Sequence, residues 1–170
     1  MWDEGKNVRV LDAAAARLGA PLYAAGPTRG PSGAAIELRH AHALGALGPA
    51  EVQARLARRP VYATAALYEP FGLGVLEAAQ AGCALVLSDI PTLRELWDGA
   101  AVFVEPRDAD GFAAACRRLL ADPAWRNALG RKARLHARRY SAPAMAEGIV
   151  EVYRRFRPDL FAPVSKEAAA

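Results

Sequence analysis

Residues 68–82, YEPFGLGVLEAAQAG, decide the fold and point to a binding site. The apolar stretch PVYATA at 60–65 precedes them and is typical of a buried strand, and a helix is predicted over 73–81 with Gly82 as its stop signal. In open α/β sheets, ligands bind beyond the carboxyl ends of the strands. The stretch therefore predicts a strand, a ligand-facing loop and a helix, in that order.

Two glycines at the start of the predicted helix indicate the close approach of a ligand. Gly72 and Gly74 each cost a helix roughly 1 kcal/mol relative to alanine. That cost is understandable if a phosphate must reach the free N–H groups of the first helical turn. The pair predicts a phosphate-binding turn.

Two carboxylates flank this turn, Glu69 before it and Glu77 after it. Most other residues of helix 73–81 are small or apolar, so we expect the helix to be buried on most sides. A buried carboxylate needs hydrogen-bonding partners, and the two hydroxyls of a ribose would serve Glu77 well. Glu69 would face the group beyond the phosphates. The alternatives are an exposed notch around Glu77 and an ordinary loop acid at position 69.

Strand and helix patterns alternate along the chain, which predicts an α/β fold with a Rossmann-like, doubly wound and mainly parallel sheet. Because the chain opens on a helix, we expect the first strand of this sheet to be missing. The predicted domains are a nucleotide-binding domain at 1–157 and a frayed tail at 158–170. Helices are predicted over 4–18, 49–58, 73–81, 92–97, 111–121 and 123–156, the last with a break near 141–143. Strands are predicted over 21–25, part of 36–44, 60–65, 84–88 and 100–104.

Composition restricts the class of protein. Of the 170 residues, 53% are hydrophobic and 24% are charged, which is enough apolar material for a core. No apolar run is long enough to span a membrane, and no signal peptide is visible. The two cysteines fit reduced, buried thiols. We therefore expect a cytoplasmic protein. His40 and His42 lack a third ligand at suitable spacing, so we expect no metal.

Basic residues concentrate toward the C-terminus. Residues 117–157 hold 11 of the 22 Lys and Arg and three acids. Aromatic side chains do not interleave with these charges as a single-strand binder requires, so we expect no nucleic-acid partner. A membrane surface is not favoured either, because charge runs are usually solvated helix faces.

A dinucleotide-binding oxidoreductase domain is one alternative. The segment GLGVLE supplies a G-x-G pair, and Asp89 ends the next strand, where a ribose-binding acid would lie. The third glycine position is occupied by Glu77, however, and two glycines alone are a weak signal.

The chain as a whole resembles the C-terminal, donor-binding half of a retaining GT-B glycosyltransferase of the group 1 family. The most specific part of the resemblance is the Glu–seven residues–Glu motif from Glu69 to Glu77, followed by AAQAGCALVLSDIPTLREL. The resemblance extends from WDEGKN at the start to the helix that ends near Phe156.

The resemblance implies a role for each matching residue. Glu69 would be the catalytic residue at the donor sugar, and Glu77 would bind the ribose of a nucleotide diphosphate sugar. Lys6 would contact the diphosphate and stabilise the leaving group. The turn facing sugar and phosphates would comprise Phe71, Gly72, Leu73 and Gly74, and backbone around Ala46 would hold the base. No cofactor and no metal are expected.

Two parts of the family pattern are absent from this sequence. A Gly-Arg element and its strand would precede Met1, and so would the acceptor-binding N-terminal domain, which we expect as a missing partner. We therefore expect the parent protein to be a hexosyltransferase and this chain alone to bind nucleotide without turnover. The alternative is a non-catalytic nucleotide-binding module.

Overall fold

The computed structural model describes residues 1–161. The chain divides into two compact units, one of residues 1–137 and one from residue 138 onward. The strands are β1 (Tyr23–Ala25), β2 (His42–Gly45), β3 (Val61–Thr64), β4 (Ala84–Ser88) and β5 (Val102–Val104). The α-helices are α1 (Val8–Ala15), α2 (Pro49–Leu56), α3 (Leu73–Ala81), α4 (Pro91–Trp97), α5 (Ala109–Ala121), α6 (Pro123–Ala137) and α7 (Ala142–Phe156).

All strand pairs within the described residues are parallel. β1 pairs with β2, and β4 lies between β3 and β5 in a second sheet. Every residue of β4 is buried, because the strand is central and helices cover the sheet. The predicted α/β class with a mainly parallel, Rossmann-like sheet is confirmed.

The core of the first unit lies between its strands and helices α1, α5 and α6. Phe112 and Leu119 of α5 are fully buried and belong to one apolar cluster with Val86 of β4 and Leu11 of α1. Helix α6 packs closely against the end of α3, since a side chain on Gly130 would overlap the carbonyl oxygen of Gly82. Cys83 and Cys116 are buried free thiols, as predicted.

The predicted helix over 4–18 is wrong in its first turn. Residues Glu4–Lys6 form a 3-10 turn, and α1 begins only at Val8 because Asn7 between them is left-handed, with φ +51°. The Asn7 side chain explains the break: its amide donates hydrogen bonds to the carbonyls of Ala65 at 2.9 Å and Pro106 at 2.8 Å. The interruption fixes Lys6 at the end of a separate turn.

Residues 36–44 are predicted to be partly strand, and only their last part is, because β2 begins at His42. The buried carboxylate of Asp12 in α1 accepts hydrogen bonds from the backbone N–H groups of Arg39, His40 and Ala41. Those N–H groups are therefore not available to a sheet ladder. Alternation in the sequence could not reveal this long-range competitor.

The second unit contains a 3-10 turn at Arg138–Tyr140, helix α7 and a 3-10 turn at Pro158–Phe161. Ser141 caps α7 by accepting a hydrogen bond from the Ala144 N–H at 3.3 Å, which accounts for the predicted break. Of the predicted tail at 158–170, residues beyond 161 lie outside the described part, and the boundary at 157 stays a prediction. None of the helices in the described residues is long and apolar enough to cross a membrane.

Candidate functional site

Lys6 and Glu69, which are 63 residues apart in sequence, meet at the carboxyl end of β3. The ammonium group of Lys6 donates a hydrogen bond to Oε2 of Glu69 at 2.7 Å. The Glu69 side chain is 16% exposed and that of Lys6 is 46% exposed, so the pair lies at the surface with the carboxylate on the inner side. The structure thus brings together the two residues that the sequence predicts at the diphosphate and the sugar.

Three backbone links hold this pair in place. The Thr92 hydroxyl donates to the carbonyl of Glu69 at 2.8 Å, and the Leu67 N–H donates to the carbonyl of Gly5 at 2.8 Å. The amide of Asn7, next to Lys6, bridges two further loops as described above. The 3-10 turn and the loop after β3 are therefore joined on both sides of the Lys6–Glu69 pair.

Gly72 directs the chain into helix α3. Its φ of +84° lies in the left-handed region, which favours glycine. An added Cβ would come within 3.1 Å of Val75 and 3.3 Å of Glu69, so space restricts the position as well. In the described structure no side chain caps α3 at its N-terminus, and the first turn of a helix carries N–H groups without intrahelical partners. Phe71 lies half-buried before this turn, and Leu73 begins the helix with 69% of its surface exposed.

Packing within the protein is sufficient to explain Gly74. A Cβ at this position would lie 2.7 Å from the hydroxyl oxygen of Tyr62 in β3. Burial, followed by the negative charges of Glu69 and Glu77, raises the pKa of Tyr62 to about 12. The neutral hydroxyl of Tyr62 thus lies under the first turn of α3, within the electrostatic influence of both motif carboxylates.

The predicted burial of Glu77 is wrong. Helix α3 buries Val75, Ala78 and Ala79 on one side, whereas Glu77 and Gln80 are exposed on the other. The small and apolar composition of the helix suggested burial all round, but only the side that packs against the sheet and α6 is buried, and even Leu73 is exposed. An exposed carboxylate loses little solvation, so burial cost no longer argues for a ligand at Glu77.

Glu77 instead lines a groove between α2 and α3. The groove has a volume of about 670 Å³, within the usual range for small-molecule sites. Leu47, Val52 and Leu56 give it an apolar wall, and Arg59 and Arg134 lie on its border. Ala46 is exposed next to Leu47, so the backbone predicted to hold a base adjoins the groove that contains Glu77.

Sequence reasoning missed several residues that shape the site. Asn7 follows Lys6 directly, and its tolerance for left-handed backbone could have flagged a turn there. Tyr62 and Thr92 gave no signal, because each acts through a contact far away in sequence. In the described residues, no group of three or more His, Cys, Asp or Glu side chains is arranged to hold a metal ion.

These features define an α/β domain with a carboxylate–lysine pair and an exposed helix N-terminus at the carboxyl end of its parallel strands. Residues 34–136 match the family model described as "Glycosyl transferases group 1". The match covers more than half of the chain, which therefore belongs to this family and has the fold of the C-terminal half of a GT-B glycosyltransferase.

Individual proteins agree with this assignment. The chain is 42% identical over 99 residues to a glycogen synthase of Mycobacterium tuberculosis, a match that covers 57% of this chain and 24% of that protein. A sucrose-phosphate synthase from Thermosynechococcus elongatus superposes with a TM-score of 0.80 at 25% identity, over 91% of this chain and 43% of the other. Anabaena HepE, solved in complex with UDP-glucose, superposes with a TM-score of 0.77 at 16% identity, over 90% and 46%. The chain thus spans less than half the length of these three proteins.

Proposed function

We propose that this chain is the donor-binding part of a retaining glycosyltransferase, which transfers a hexose from a nucleotide diphosphate sugar to an acceptor. The observation that carries the proposal is the Lys6–Glu69 pair, with a nitrogen–oxygen distance of 2.7 Å, in front of the uncapped N-terminus of α3. This arrangement presents a cation and free N–H groups to a diphosphate, beside a carboxylate. The structure of HepE with UDP-glucose supports the same class of ligand for a domain of this fold.

In this proposal each residue has one task. The ammonium of Lys6 and the N–H groups at Leu73 and Gly74 bind the diphosphate and stabilise the negative charge that builds up on the leaving group. Glu69 lies at the sugar and stabilises positive charge at the anomeric carbon. Glu77 accepts hydrogen bonds from the ribose hydroxyls, and the backbone near Ala46 holds the base. The cation supplied by Lys6 would replace a metal at the diphosphate.

The acceptor would bind to an N-terminal domain that is not part of the sequence described here, so this chain alone is expected to bind nucleotide without turnover. Detection of sugar transfer by the purified 170 residues would overturn that expectation. Membership of the glycosyltransferase family argues against the dinucleotide oxidoreductase alternative. A non-catalytic nucleotide-binding module would share the binding properties but would stay inactive when joined to an acceptor-binding domain.

The test is calorimetric titration with UDP-, GDP- and ADP-glucose, followed by Lys6→Gln with the best ligand. We expect Lys6→Gln to weaken binding of the diphosphate sugar by about 1.5–3 kcal/mol, the usual value of a hydrogen bond to a charged group, and to leave binding of the bare nucleoside unchanged. Lys132→Gln, an exposed lysine of α6, is the matched control. Equal loss in both variants, or no binding of any diphosphate sugar by the wild type, would contradict the proposal.

A further inference from the structure

The connection between β1 and β2 lacks the helix that usually covers such a crossover. Parallel neighbours are normally joined through a helix, but residues 26–41 contain no helix. The space beside α1 is left as an open groove of about 830 Å³. Long loops without helix or strand in a compact domain are commonly functional.

This loop is held in a defined conformation. The Ile36 N–H donates to the Thr28 carbonyl at 2.8 Å, and the Gly30 N–H donates to the Ala34 carbonyl at 2.7 Å. Gly30 lies directly against the indole ring of Trp2, where no Cβ would fit. At the far end, Asp12 binds three consecutive backbone N–H groups. The groove walls are therefore preorganised rather than dependent on a ligand to shape them.

Positive charge dominates the groove. Arg9 of α1 and Arg29 and Arg39 of the loop line it together with His40. The two acids at the groove are Glu37 and Asp12, and the oxygens of Asp12 are already occupied by the backbone of residues 39–41. The guanidinium groups thus outnumber the carboxylates that could neutralise them.

Some arginines of the described residues form ion pairs and others do not. Arg17, at the end of α1, pairs with Asp110 at 2.9 Å, and Arg94 pairs with Asp89 at 2.6 Å. Among residues 1–161, Arg9, Arg29 and Arg39 form no ion pair. The three side chains are exposed, so their guanidinium groups are accessible to an anion in the groove.

We propose that Arg9, Arg29, Arg39 and His40 form a binding site for a free small molecule that carries a phosphate monoester, separate from the donor site. Guanidinium groups bind phosphate oxygens through paired hydrogen bonds. Three arginines against two carboxylates leave the groove with one positive charge in excess, which favours an anion. The groove volume accommodates a phosphorylated sugar of ordinary size. A ligand here would contact α1, the helix that follows Lys6.

The test is titration of the full chain with inorganic phosphate, glucose 6-phosphate and uncharged glucose, monitored by calorimetry. We expect one saturable site for glucose 6-phosphate, weaker binding of inorganic phosphate and no binding of glucose. The variant Arg9→Gln/Arg29→Gln/Arg39→Gln should bind glucose 6-phosphate at least about tenfold more weakly, since each lost charged hydrogen bond alone is worth about that factor.

A control with the same change in net charge is Arg131→Gln/Arg138→Gln/Arg139→Gln, which alters three exposed arginines elsewhere. It should keep the wild-type affinity, and circular dichroism should show that both triple variants are folded. Lys6→Gln should also keep the site, which separates this proposal from the function proposed above. Equal loss in the two triple variants, loss in Lys6→Gln, or binding to phosphatidic acid vesicles without binding to glucose 6-phosphate would overturn the assignment.

Discussion

Gly74 illustrates how one residue serves both the fold and the candidate site. It lies in the first turn of α3, where the N–H groups lack intrahelical partners, and directly over the Tyr62 hydroxyl. From sequence alone the glycine indicated a ligand. The structure adds that an alanine would come within 2.7 Å of a neighbouring oxygen even without a ligand. Loss of activity in a Gly74 variant would therefore not by itself identify a binding residue.

Gly74→Ala should destabilise the protein by about 1–3 kcal/mol, the usual cost of overpacking. Alanine is otherwise the better helix former, so the loss would come from the contact with Tyr62. Removing that hydroxyl with Tyr62→Phe should restore part of the lost stability in the double variant. Urea unfolding of the wild type, both single variants and the double variant measures the coupling; additive effects would show that the two residues do not interact.

Among the helices and strands, the sequence predicted correctly the bounds that are set by residues nearby in the chain. The bounds of α3 and β4 agree with the sequence prediction, because Gly82 stops one and a run of apolar residues makes the other. Alternation at 36–44 could not show where the strand begins, because the Asp12 carboxylate of α1 binds the backbone N–H groups of residues 39–41. The break at Asn7 was not predicted for a similar reason, because the hydrogen-bond partners of its side chain, Ala65 and Pro106, are far away in sequence.

Asp12 joins α1 to the segment before β2, and its contribution to the free energy of unfolding should depend on pH. Burial alone would raise its pKa, but hydrogen bonds from the backbone of Ala41, Arg39 and His40 outweigh burial and hold the pKa below its ordinary value. A depressed folded-state pKa contributes stability above the unfolded pKa and loses it as pH falls through the folded pKa. The contribution of Asp12 is therefore present at neutral pH and is lost progressively as the pH falls below about 4, the ordinary pKa of an aspartate.

We expect Asp12→Asn to cost about 1–3 kcal/mol of stability at pH 7, because the charged acceptor of three N–H groups is lost. The difference between variant and wild type should shrink as the pH is lowered below about 4. Chemical denaturation at several pH values measures it, with Glu95→Gln, an exposed acid of α4, as the control. A difference that stays constant down to the lowest accessible pH would contradict the role of the charge.

At the scale of the whole molecule, the parallel strands fall into two sheets instead of one. In the described residues β1 pairs with β2 alone and β3 with β4 alone, so one edge of each is without a ladder partner. Unpaired edges of apolar strands favour association with other chains. The alternation of strands and helices predicted the class of this fold, but no local pattern could reveal a division between the two sheets.

This division predicts that the isolated chain self-associates. Sedimentation velocity at increasing protein concentration should show dimers or larger species, and a peptide strand tethered to the N-terminus should reduce them by pairing with the edges. In the tethered form, the backbone amides of β1 and β3 should exchange their hydrogens more slowly with solvent. A monomer at all concentrations, with β1 and β3 fully protected from exchange, would contradict the expectation.

The most specific part of the proposed donor site is the binding of a nucleotide's ribose by Glu77. It is tested most directly by comparing a nucleoside diphosphate with its 2′,3′-dideoxy analogue on wild type, Glu77→Gln and the control Glu95→Gln, an exposed acid of α4. We predict that Glu77→Gln weakens the ribonucleotide by about 1.5–3 kcal/mol and leaves the dideoxy analogue almost unchanged, because only the first offers hydroxyls to the carboxylate. Equal losses for both nucleotides, or no loss for either, would contradict the claim.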